Sequence, residues 1–133
     1  MRPVALAASA AALLVLGACG PTTYDATVTT EVAVATTTTL PTGTAAELMP
    51  RLVDEAAALS QLISTKGDDL AAAQRIAALW DAVSQEVAKT RPELLGDFEA
   101  NVARCRKAAD RNRPADADKA YLNLEALVGA YLS

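Results

Sequence analysis

From Thr44 onward the apolar residues return every three or four positions, and three short breaks divide that pattern into four pieces. A period of 3.6 places such residues on one stripe of a helix, whereas a half-buried strand needs strict alternation. The first piece opens on Thr44 with Glu47 three residues later, the signature of a capping box, and aligns Leu48, Leu52, Ala56, Leu59, Leu62 and Ile63. Pro50 falls early in it, so either the first turn is distorted or the regular helix begins near Met49. Gly67 is the expected stop. The second piece starts at Asp68 or Asp69 and aligns Leu70, Ala73, Ile76, Ala77, Trp80, Val83 and Val87. Thr90-Arg91-Pro92 closes it and opens the third, which carries Leu95, Phe98, Val102, Cys105 and Ala109. After Arg111-Asn112-Arg113-Pro114 the last piece, capped near Asp116, presents Ala117, Ala120, Tyr121, Leu124, Leu127, Val128 and Tyr131.

Four amphipathic helices with short connections make antiparallel neighbours, so residues 45–133 predict an all-α, small four-helix up-down-up-down bundle. Two helical hairpins that need a partner to complete their core are the other arrangement compatible with the pattern. Only 4% of residues are aromatic and alanine is abundant. The core is therefore expected to be Ala, Leu and Val on closely spaced helices, since β-folds use more aromatic and β-branched residues.

The start of the chain is built differently. Arg2 precedes an apolar run from Val4 to Leu16 that is too short to span a bilayer as a stable helix, and residues 1–18 read as a signal peptide. Its end, Leu16-Gly17-Ala18-Cys19, resembles the lipobox of bacterial lipoproteins: an aliphatic residue, two small residues, then cysteine. The resemblance implies that diacylglycerol alkylates the Cys19 thiol and that cleavage before Cys19 makes it the first mature residue. It also implies a protein lipid-anchored to the outer face of the cell membrane, with the membrane a partner through the N-terminal lipid. Two acyl chains at about 0.8 kcal/mol per buried methylene hold firmly where one binds marginally. The competing reading is an ordinary secretory signal, with Cys19 a plain thiol or paired with Cys105.

Between Gly20 and Thr44 almost half of the residues are threonine and leucine appears once. Such a stretch buries too little apolar surface to offset its ordering entropy, so residues 19–44 are expected to be a disordered, Thr-rich tether carrying the lipidated Cys19. Extended, it reaches several tens of ångströms and would space the folded body from the membrane. Thr-rich, Pro-containing segments after a lipid-bearing cysteine resemble those of high-GC Gram-positive lipoproteins, in which the threonines are sometimes O-glycosylated.

The chain contains no histidine. That removes the Glu-x-x-His pairs of di-iron bundles and the C-x-x-C-H haem motif, and no acidic calcium loop, P-loop or nucleophile elbow occurs, so no metal, cofactor or catalytic residue is expected. The net charge of −4 argues against nucleic acid, which needs a basic surface to displace counterions. Cys105 sits on an apolar stripe, where a thiol acts as a small hydrophobe, and Trp80 sits on another.

One charge asymmetry remains, Arg104, Arg106, Lys107, Arg111 and Arg113. Either these cations serve a helix C-terminus and pair with Asp110, Asp116 and Asp118, or Arg104, Lys107 and Arg111 contact an anion or a partner. The functional expectation is a non-enzymatic binding or scaffolding module on a membrane-anchored lipoprotein, acting on a protein or cell-envelope partner. The alternative is a solute-sensing accessory that holds a small apolar ligand inside the bundle or near Trp80 and Tyr121. A well-filled core favours the first and a cavity of several hundred cubic ångströms the second.

Overall fold

The computed structural model describes residues 39–133. The expected signal peptide, the lipobox-like run Leu16–Cys19 and most of the Thr-rich stretch lie outside the described residues. Four helices follow in order, α1 (Ala45–Thr65), α2 (Asp69–Thr90), α3 (Leu95–Asp110) and α4 (Pro114–Leu132), with a short 3-10 turn over Pro92–Leu94 ahead of α3. Each helix packs on its sequence neighbour, and α1 also packs on α4, which closes the ring of four. Contacts fix the directions. Arg75 of α2 meets Glu55 of α1, Asn123 of α4 meets Asn101 of α3, and Tyr131 near the end of α4 meets Glu86 near the end of α2. This is the up-down-up-down bundle expected from the stripes, with the core complete within one chain.

α1 runs unbroken through Pro50. Proline withholds the N–H that would bond the Ala46 carbonyl, but both residues are exposed, so water can take that carbonyl. The helix start is held from two sides. The Glu47 carboxylate accepts the Thr44 backbone N–H at 2.9 Å and the Thr44 hydroxyl at 3.0 Å, which holds the carboxyl below the usual glutamate range. Ahead of the cap, Gly43 takes φ 151°, a conformation open to glycine and strained for other residues.

The two hairpins turn in the same way, and here the sequence reading was one residue out. Lys66, not Gly67, takes the left-handed conformation (φ 55°), while Gly67 donates its N–H to the Leu62 carbonyl at 2.8 Å. Asn112 repeats this at φ 52°, with Arg113 N–H on the Ala108 carbonyl at 2.8 Å. Both are Schellman closures, which satisfy helix-end carbonyls with the next residues of the chain. The start of α4 also differs from expectation. Pro114 is its first residue, and Asp116 lies within the first turn rather than at the cap.

The core is a single cluster of Ala, Leu, Val and Ile, to which Phe98, Trp80 and Met49 add the bulk. Trp80 of α2 and Phe98 of α3 stack with ring centroids 5.1 Å apart and planes inclined by 17°. Leu70 departs from the expected stripe. It is 50% exposed, while Ala72 and Leu79 are buried in its place. α2 faces two neighbours, so its buried arc is centred on the row of Ile76 and Val83, and Leu70 lies about 120° around the helix from that centre. Alanines line the close contacts, among them Ala56, Ala73, Ala108, Ala117 and Ala120, all buried.

Candidate functional site

The cation cluster of α3 divides in the structure. Arg106 faces away from the rest and bonds the Asp110 carboxylate at 3.4 Å, and Arg113 bonds Asp116 at 2.9 Å, as expected for cations and acids around a helix junction. Arg104, Lys107 and Arg111 form no ion pair among the described residues. Their spacing of three and four residues keeps them on one exposed stripe, about 10 Å long, that runs along α3 to Arg111 just past its end. With Ala100, Ala103, Arg113 and Asp116 they line an open groove of about 310 Å³. Once Arg113 and Asp116 offset each other, the groove holds three uncompensated positive charges on an acidic protein.

The groove continues toward the middle of the same helix pair. Arg104 donates from Nη1 to the Asn101 side-chain oxygen at 3.2 Å, and Asn123 of α4 donates to the same oxygen at 3.0 Å. Asn101 completes its bonding by donating to the Asp97 carbonyl at 2.8 Å. It is 7% exposed and the one polar side chain buried among the described residues, with every buried polar side-chain atom satisfied. Beyond it a second open groove of about 380 Å³ is lined by Asp97, Asn101, Asn123, Ala126 and Leu127. Sequence reasoning missed this amide pair. Asn101 follows Asp97 and precedes Arg104 at helical spacing, but nothing in the linear pattern says that Asn123, on another helix, will reach it.

The residues singled out for other roles lie elsewhere. Cys105 is fully buried and its thiol is pushed up to about 11, by burial first, with the Arg104 charge opposing. A thiol held protonated in a packed core is a structural hydrophobe. Trp80 is occupied by its stack on Phe98, and the Tyr121 hydroxyl bonds Glu125 at 3.2 Å. A further groove of about 450 Å³ runs outside α2 and α3 and takes in Leu40, Ala77, Ala78 and Arg106. A smaller one of about 330 Å³ lies over Arg51, Asp54 and Glu55 of α1. All these grooves open at the surface.

Among the described residues no group of acidic or thiol side chains is placed to hold a metal ion, and no helix is long and apolar enough to cross a membrane. The fold and the groove together define a small antiparallel four-helix bundle with a cationic face on α3. Comparison with protein-family models, with curated proteins and with solved structures gives no match for the chain.

Proposed function

We propose that this protein is a lipid-anchored, extracytoplasmic lipoprotein whose helical bundle is a non-enzymatic binding module, engaging a cell-envelope or protein partner through the cationic face of α3. The anchor rests on Leu16-Gly17-Ala18-Cys19 and the apolar run before it. The binding role rests on one observation. Arg104, Lys107 and Arg111 share one groove while their neighbours Arg106 and Arg113 are neutralised. Exposed cations left without an acidic partner repel one another and gain in the fold only the modest attraction of the α3 C-terminus, which fits a surface kept for an external anion.

Membrane fractionation tests the anchor. Cys19→Ala blocks lipid attachment, so the variant chain is expected to lose the lipid-dependent partition into detergent that the unsubstituted chain shows. Metabolic labelling with a fatty acid is expected to mark the unsubstituted chain alone. Equal labelling of the variant would end the lipoprotein reading.

A further inference from the structure

We infer that the outer cleft between α3 and α4 binds an anionic glycan bearing phosphate groups, laid along the helix pair. Its phosphates meet Arg104, Lys107 and Arg111, and its hydroxyls meet Asn123 and Asp97. The two grooves of this cleft are lined by the same two helices and joined by the Arg104–Asn101–Asn123 hydrogen bonds. One end offers guanidinium and ammonium groups, the donors that suit phosphate oxygens. The other offers an exposed amide and an exposed carboxylate, Asn123 and Asp97. With one amide N–H spent on Asn101, Asn123 keeps its own carbonyl oxygen and a second N–H, so together the pair can accept from and donate to hydroxyls. Cations alone would suit any polyanion; cations beside a strip whose carboxylate repels phosphate and, with the amide, bonds hydroxyls suit a chain that alternates phosphate with polyol or sugar. The groove walls at Ala100, Ala103 and Ala126 are short, which leaves room for a ring to lie flat.

Position selects among sources of phosphate. The chain enters the bundle at the start of α1, and the α3–α4 turn lies at the opposite end, one length of α1 or about 30 Å away. On a protein anchored at Cys19, the cations then lie at the end of the bundle remote from the point where the tether joins it, which favours envelope polymer over lipid headgroups. This step rests on the lipoprotein reading. The groove chemistry does not, so the binding experiment and the fractionation experiment fail separately.

The test is titration of the full-length chain, purified in detergent, with phosphomannan, with neutral mannan of matched length, with polyglutamate and with phosphatidylglycerol vesicles. Phosphomannan is expected to bind tightest, and Lys107→Gln with Arg111→Gln to weaken it about tenfold, the loss of two charge-assisted contacts with partial screening. Both residues are exposed and unpaired, so the fold is retained. Arg51→Gln with Arg106→Gln, the same loss of two charges outside the cleft, is expected to leave binding unchanged. Equal loss from that pair would reduce the effect to net charge and overturn the site. Tighter binding of polyglutamate would make the partner an acidic polypeptide. Vesicle binding weakened as much by Lys107→Gln with Arg111→Gln, a loss the lipid anchor would not show, would make it a lipid surface, and equal binding of neutral mannan would remove the role of phosphate; each result overturns the proposal.

Discussion

The carboxylate of Glu86, late in α2, accepts the backbone N–H of Ala45, the first residue of α1, at 2.9 Å, across 41 residues of sequence. A helix start leaves its first N–H groups without intrahelical acceptors, and here a neighbouring helix supplies one. The other oxygen of Glu86 takes the Tyr131 hydroxyl at 3.3 Å, and Thr90 donates to that hydroxyl at 3.2 Å. One carboxylate thus ties the start of α1 to the ends of α2 and α4.

Removing that tie is expected to cost what a lost cap costs. Glu86→Ala should lower stability by about 1–2 kcal/mol in urea denaturation, and Tyr131→Phe by about 1 kcal/mol or less. Glu86→Gln keeps an acceptor oxygen and should fall between wild type and Glu86→Ala. The double substitution should cost less than the sum, because both act through one side chain; strict additivity would show that the bonds do not share it.

The Asn101–Asn123 pair makes a similar prediction inside the cleft. Asn101→Ala should destabilise by about 1–2 kcal/mol, since a buried amide with three bonds is lost and Asn123 is left to water. A double-mutant cycle with Asn123→Ala should return a coupling of about 0.5–1.5 kcal/mol.

Cys105 makes stability depend on pH in the alkaline range. Its thiol ionises near 11 when folded, and an unfolded cysteine near about 8.5. Between those values the unfolded chain loses the proton first, so the stability contributed by the protonated thiol is present below about 8.5 and falls as pH rises toward 11. Cys105→Ala should flatten that part of the pH profile. At pH 8 the native thiol should react slowly with a disulfide reagent, and the rate should rise by orders of magnitude in denaturant; a fast native reaction would contradict its burial.

The Thr-rich stretch should be dispensable for folding only up to a point. Deleting residues 20–38 should leave the thermal midpoint of the bundle unchanged. Extending the deletion through Thr44 removes the residue whose N–H and hydroxyl bond Glu47, together with Gly43 and Leu40, and should cost about 1 kcal/mol.

The number and order of the helices were legible in the sequence because each is set by local terms. Apolar spacing, Thr44 with Glu47, and prolines at first turns act within a few residues. Those same local terms place Arg104, Lys107 and Arg111 on one stripe without any tertiary contact. The centre of the buried face of α2 was legible in Ile76, Trp80, Val83 and Val87, but its edge was not. Leu70 and Leu79 are equally apolar, and only the positions of α1 and α3 decide that Leu79 is buried and Leu70 exposed. The left-handed residue at each hairpin escaped for a related reason: Lys66 and Asn112 adopt it because the hairpin must close within three residues, although glycine stands next to one of them.

By itself, the sequence determined an all-α body of four amphipathic segments, an acidic chain without histidine, and a cysteine at position 19 in a lipobox-like setting. Local periodicity and composition carry that much, because they depend on neighbours along the chain. Tertiary structure decided that Asn123 reaches Asn101 and that Glu86 caps a helix it does not belong to. Those relationships join residues 22 and 41 positions apart in sequence, and they exist only once packing has set the helices side by side.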